Sequence, residues 1–316
     1  MTRGPRVRVG VIGCGEVTQI IHLPTLSMLA DQFEVTALCD ASPAVLGGVG
    51  DAWGVHRRFD DAHELVASDD VDAVLVANPD PFHAEATLAA IAAGKDVLVE
   101  KPMTATLGEA EDLIGLASEK GAVLQVGHIE RFNPAVDALR KAVLQPRFIE
   151  VHRLSPFSPR SLDVDVVLDL MIHDLDIVLC LDGSGAVQVD AVGVPVLTSK
   201  VDIANARLRF ASGLIANLTA SRVSAEKVRK FRVFSPKTYI SVDFAARSAQ
   251  VYRLIQGEGG PEITTERTAA PDEEPLRRQL TAFVTAVRER TVPAVTGADG
   301  LRALTLAHTV LARMTE

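Results

Sequence analysis

The chain is poor in cysteine, in aromatic side chains and in positive charge. Its three cysteines, Cys14, Cys39 and Cys180, lie far apart and form no CxxC pair. That excludes a zinc knuckle or a disulfide framework and fits a reducing, cytoplasmic setting. Aromatic residues make up only 4%, too few for a base-stacking platform. Lys and Arg number 32 against 41 Asp and Glu, a net charge of −9, so nucleic acid is not an expected partner. No apolar run suits a bilayer. The most apolar long stretch, 162–181, carries Asp163, Asp165, Asp169, Asp174 and Asp176, which hydrocarbon does not tolerate. The N-terminus is a short basic lead into a strand, without a signal-peptide apolar region and cleavage site.

Hydrophobic residues at 47% and charged residues at 23% of 316 describe an ordinary globular chain of about two domains. The first part alternates strands and helices. Apolar strands are predicted at 7–12, 35–39, 73–77, 96–100 and 123–126. Ser42-Pro43 reads as an N-cap with proline at the first helical position, and Thr106-x-x-Glu109 as a capping box. Apolar strands separated by helices mean a doubly wound parallel sheet covered on both faces. Beyond 126 the strands lengthen and alternate (148–153, 204–210, 214–219, 230–234), with Ala211-Ser-Gly213 as a hairpin turn. This predicts an α+β domain with a large open, mostly antiparallel sheet. Residues 256–275, rich in Gly, Pro and Glu, read as a loop before a long helix. The expected division is 1–126 for the first domain, 127–299 for the second, and a last helix at 300–316 packing back on the first.

Gly13-x-Gly15-x-x-Thr18 follows the first strand and opens a helix. Glycine permits the tight turn and lets backbone N–H groups reach a pyrophosphate, whose charge the helix N-terminus favours. Thr18 stands where the pattern has a third glycine and is expected to crowd the helix–strand contact. Asp40 closes the second strand 22 residues after Thr18, the position of an acid that accepts from ribose hydroxyls and repels a 2′-phosphate. The cofactor expected is therefore NAD, in preference to NADP. Glu100-Lys101-Pro102 ends a parallel strand, where open α/β sheets place their ligands. Asp169, His173 and Asp176 share one face of a predicted helix by their i, i+4, i+7 spacing, with Asp174 off that face. A carboxylate beside an imidazole suits a general base. An acid-rich helix with a core-edge histidine fits the same residues. A metal site also fits them, although no cysteine or second histidine lies nearby in sequence, and no metal is expected.

Gly10-Val-Ile-Gly-Cys-Gly-Glu-Val-Thr-Gln-Ile-Ile-His-Leu-Pro24, then Ala93-Gly-Lys-Asp-Val-Leu-Val-Glu-Lys-Pro102, then Asp169-x-x-x-His173-x-x-Asp176 resemble the Gfo/Idh/MocA oxidoreductases, which include glucose–fructose oxidoreductase and inositol dehydrogenase. The resemblance runs along essentially the whole chain. It implies an NAD-binding Rossmann domain and a second domain with an open sheet, the site lying between them. It implies Lys101 as the catalytic lysine, His173 as the acid/base and Asp169 as its neighbour at the substrate. Gly13, Gly15, Glu16, Val17, Asp40, Asn78, His83 and Glu100 fall to the cofactor. The activity implied is oxidation of a secondary hydroxyl of a sugar to a ketone, by a homodimer or homotetramer built through the second-domain sheet. The stretches 128–134 and 152–165 resemble members that oxidise C3 of UDP-N-acetylglucosamine. Arg131, Arg153 and Arg160, with Asp176, are then the expected substrate contacts, the arginines as partners for a diphosphate. The alternatives are an inositol or free-sugar dehydrogenase, an NAD-dependent glycoside hydrolase, and a non-catalytic NAD-binding regulator.

Overall fold

The first strand, Val7–Ile12, is buried along nearly its whole length and has neighbours on both edges. Such a strand sits at the centre of a parallel sheet. The computed structural model describes residues 5–142, 145–159, 164–257, 260–269 and 274–314. Strands β1 (Val7–Ile12), β2 (Phe33–Cys39), β3 (Arg57–Phe59), β4 (Ala73–Val76), β5 (Asp96–Glu100) and β6 (Leu124–Gly127) alternate with helices α1 (Leu23–Met28), α2 (Pro43–Trp53), α3 (Ala62–Val66), α4 (His83–Ala92) and α5 (Leu107–Lys120). Then come α6 (Pro134–Ala142), β7 (Phe148–Leu154) and α7 (Ile172–Asp182). Seven strands follow, β8 (Ala186–Val194), β9 (Ile203–Phe210), β10 (Ile215–Ser221), β11 (Val228–Ser235), β12 (Thr238–Asp243), β13 (Ser248–Gly257) and β14 (Gly260–Ala269). The chain ends in α8 (Pro275–Glu289) and α9 (Gly297–Ala312).

The first six strands form one all-parallel sheet in the order β3-β2-β1-β4-β5-β6, a doubly wound Rossmann arrangement. The order reverses between β1 and β4, the switch point where such sheets hold ligands. The predicted caps form: Ser42 Oγ accepts from Val45 N, and Thr106 and Glu109 cap each other's backbone. The other eight strands form a second sheet, β14-β13-β12-β11-β7-β10-β9-β8, antiparallel except for the β7–β10 pair.

The chain divides into two compact units, and the boundaries differ from the expected ones. One unit comprises 1–129 and 274–301, the other 130–273 and 302–316. Helix α8 belongs to the first, where Leu276, Leu280, Phe283 and Val284 join the core of Val9, Leu38 and Leu75. The last turns of α9 pack in the second unit through Ala303, Leu306, Ala307 and Val310, not on the Rossmann domain. An amphipathic stripe announces that a helix buries one face but not which core receives it. The loop expected at 256–275 is also corrected, because β14, Gly260–Ala269, pairs with β13 along the whole of Ser248–Gly257. Residues 261–267 are exposed on this edge strand, so no inward-facing apolar series marks it, and only Ile263, Thr264 and Thr265 hint at strand.

Candidate functional site

In the first unit the chain turns sharply after β1. Gly13 has φ +94°, and a Cβ there would come within 2.4 Å of the Asn78 nitrogen, so both backbone angle and crowding demand glycine. A Cβ at Gly15 would meet nothing within 4 Å, the open approach a pyrophosphate needs. Glu16 is exposed and Val17 half-buried in the first helical turn. The crowding expected of Thr18 is resolved locally. Its buried hydroxyl donates to Gly13 O at 2.6 Å, and a wider π turn, Thr18–His22, begins at this residue.

Asp40 ties the turn to the end of β2. Its carboxylate accepts from Cys14 N and Ser42 N, each at 2.8 Å, and carboxylate oxygens retain further lone pairs for hydroxyl donors. Burial, with the Asp40 charge next, pushes the Cys14 thiol up to about 12 and the Cys39 thiol up to about 11. Both cysteines are packing residues, not nucleophiles.

Glu100 and Lys101 end β5. His22, 1% exposed, places Nε2 2.9 Å from Glu100 Oε1, and Lys101 N donates to Glu100 Oε2. Burial opposes the Glu100 charge, but His22 and Lys101 hold its carboxyl below the usual range. His22 carried no assignment in the sequence, where only its place two residues before Pro24 marked it. The Lys101–Pro102 peptide bond is cis, and Pro102 O lies 2.7 Å from Nδ1 of buried His83. Nε2 of the same ring lies 2.7 Å from Asn78 O. His83 thus bridges the turns after β4 and β5. Asn78 Nδ2 donates to Phe82 O, while its buried Oδ1 has no partner among the described residues. The glycine turn, the open approach at Gly15, the Asp40 carboxylate and the spare Asn78 acceptor fit a dinucleotide.

In the second unit a π turn, Val167–Met171, precedes α7. It breaks the i, i+4, i+7 register that would put Asp169, His173 and Asp176 on one helix face. Asp169 and His173 are half-buried, whereas Asp176 is 1% exposed. Asp176 accepts from Arg131 Nε and Nη2 at 2.6 and 2.8 Å. Asp174, which the spacing set aside, is 2% exposed and accepts from Arg153 Nε and Nη2 at 2.7 and 2.8 Å. Arg153 Nη1 also donates to Glu130 Oε1 at 2.9 Å. Two buried two-pronged ion pairs, at Asp174 and Asp176, therefore hold the start of α7 just after His173. Burial pushes the Asp174 carboxyl up against the pull of Arg153. Burial also opposes the Glu130 charge, but Arg153, then Arg229 and Asn133, hold that carboxyl below its ordinary range.

The diphosphate role expected of Arg153 is corrected. At 3% exposure with two carboxylates bound, it neutralises buried charge in the fold. Arg131 and Asp176 likewise spend their facing groups on each other. Arg160 lies outside the described residues. Among the described residues no group of three or more His, Cys, Asp or Glu could hold a metal ion. No described helix is long and apolar enough to cross a membrane.

Comparison with known proteins agrees with this geometry. Residues 7–128 match an oxidoreductase family with an NAD-binding Rossmann fold, and residues 144–241 match the GFO/IDH/MocA C-terminal domain. The chain is 38% identical over 306 residues to UDP-N-acetylglucosamine 3-dehydrogenase of Acidithiobacillus ferrooxidans, covering 95% of each chain. A solved structure of that enzyme superposes with a TM-score of 0.90 at 35% identity, covering 98% of both chains. Myo-inositol 2-dehydrogenase of Thermotoga maritima is 29% identical, over 96% of this chain and 94% of the other. The chain belongs to the Gfo/Idh/MocA oxidoreductase family.

Proposed function

We propose that this family member is an NAD-dependent dehydrogenase that oxidises the C3 hydroxyl of UDP-N-acetylglucosamine, or of a close nucleotide amino sugar, to the ketone. The observation that carries the reading is the 38% identity to an enzyme named for that reaction, sustained over 95% of both chains. A bound NAD would supply the hydride acceptor, held by Gly13, Gly15, Asp40 and Asn78. In this reading His173 takes the hydroxyl proton, oriented by Asp169. Lys101 donates a hydrogen bond to the same oxygen and stabilises its developing negative charge. Glu100, held by His22, fixes the backbone from which Lys101 projects.

Inositol oxidation is the second reading, favoured by the 29% match over 96% of the chain. A cytoplasmic homodimer or homotetramer belongs to the proposal as well. Its support is a row of rings across neighbouring strands of the second sheet, Phe148, Phe234, Tyr239 and Tyr252, with successive centroids 5.7, 4.8 and 5.2 Å apart. Light scattering on the purified chain reads the oligomeric mass.

NADH formation, followed by absorbance with UDP-N-acetylglucosamine and with myo-inositol, tests the substrate. The nucleotide sugar is expected to be turned over and the polyol not. Lys101→Ala and His173→Ala should each lower kcat by about 10²–10⁴-fold with NAD affinity unchanged. Near wild-type turnover by both variants would overturn the assigned roles.

A further inference from the structure

Four charged side chains meet where β7 and β11 pair, and their hydrogen bonds are divided unequally. Arg153 and Arg229 are directly opposite in the antiparallel register. Directly opposite residues project to the same face. Their neighbours on that face, Val151 and Phe231, are part of the second unit's core. Arg153 takes both oxygens of Asp174 and Oε1 of Glu130, and the other Glu130 oxygen accepts from Asn133 Nδ2. Arg229 is left with Glu130 Oε1 at 3.7 Å, too long for a hydrogen bond. Its guanidinium donates no hydrogen bond to any described residue, yet its side chain is only 37% exposed. Burial and the neighbouring Arg153 both work against its charge, beyond the help of Glu130 and Asp174. A half-buried cation in this condition is stabilised by any anion that reaches it.

We propose that Arg229 binds the diphosphate of the substrate. The assignment rests on the nucleotide-sugar reading and deepens it. A planar guanidinium presents paired N–H donors that match phosphate oxygens. The arginines singled out in the sequence are committed elsewhere. Arg153 and Arg131 have side chains 4% and 9% exposed, each bound two-pronged to an aspartate of α7. Arg229 stands beside that machinery. Its cross-strand partner Arg153 grips Asp174, the residue that follows His173. A diphosphate on Arg229 would therefore anchor one end of the substrate on the face of the sheet to which α7 is tied.

The test is titration of UDP, and separately of inorganic pyrophosphate, into the full-length chain by calorimetry. Wild type is compared with Arg229→Gln, Arg229→Lys and Arg232→Gln. Arg232 is a control, paired with Glu150 on the opposite face of the same two strands. Arg229→Gln should weaken UDP and pyrophosphate binding by about one to two decades, Arg229→Lys by less, and Arg232→Gln not at all. KM for UDP-N-acetylglucosamine should rise in parallel, with KM for NAD unchanged. If Arg229→Gln does not fold, Arg229→Lys, which keeps the charge and loses the fork, decides by itself through its expected partial loss. Wild-type affinity for UDP in the Arg229 variants would overturn the proposal and leave the nucleotide-sugar reading standing. No UDP binding by wild type at millimolar concentration would overturn that reading, and this assignment with it.

Discussion

Asp40 shows how far a single residue can be read. Its type and its place at the end of a strand after a glycine turn pointed to ribose hydroxyls. The structure adds that the carboxylate also accepts from Cys14 N, bracing the turn from the opposite strand. Asp40→Ser should therefore do two things. NADP should gain on NAD, because a 2′-phosphate no longer meets a carboxylate, and affinity for both should drop somewhat as the turn loosens. Dissociation constants for the two cofactors, measured by fluorescence titration, check this. A wild-type chain that prefers NADP tenfold would contradict the role given to Asp40. The places of Gly13, Asp40 and Lys101 were legible because each follows the end of a parallel strand. His22, Glu130 and Arg229 were not, because their partners, Glu100, Arg153 and Arg153 again, lie tens of residues away in sequence or on a neighbouring strand whose register no spacing reveals. Arg153 was misread for the same reason, since an arginine's type does not tell whether its carboxylates are already within the fold.

Elements were read well where a local signal starts or stops them, and poorly where tertiary contact decides. The capping box at Thr106 and the glycine end at Gly121 delimit α5 as expected. Helix α7 instead begins after a π turn that sequence periodicity cannot show, and its Asp174 and Asp176 turn inward onto arginines. The energetic consequence differs between the two faces of one strand pair. Arg153→Ala strands Asp174 and Glu130 as buried, uncompensated charges, which should cost about 3–5 kcal/mol. Arg232→Ala removes a partner from Glu150 in a pair whose side chains are 32% and 33% exposed, worth about 1 kcal/mol or less. Urea unfolding followed by circular dichroism compares them, together with amide exchange in β7 and α7. Equal losses for the two variants would contradict the description of the Arg153 cluster as buried and coupled.

At the scale of the whole molecule, both sheets and their order of appearance followed from the change from buried runs to alternation near residue 126. The interleaving of the chain did not. Helix α8 returns to the first unit, where Leu276, Leu280 and Phe283 are each 2% exposed or less. Burying three such side chains is worth about 1.5–3 kcal/mol each, comparable to the whole stability of a domain. A fragment ending at residue 129 should therefore be unstable. The same fragment joined by a flexible linker to 274–301 should fold and bind NAD, as read by circular dichroism and NADH fluorescence. A stable, NAD-binding 1–129 fragment would contradict this account of the core. Transfer of hydride from C3 of a nucleotide amino sugar to the nicotinamide can be followed with UDP-N-acetylglucosamine carrying deuterium at C3. Deuterium in the NADH formed, a 3-keto product by mass spectrometry and a primary isotope effect on the single-turnover rate are expected. Product formation with the deuterium still on the sugar, or no turnover alongside efficient oxidation of a free polyol, would contradict it.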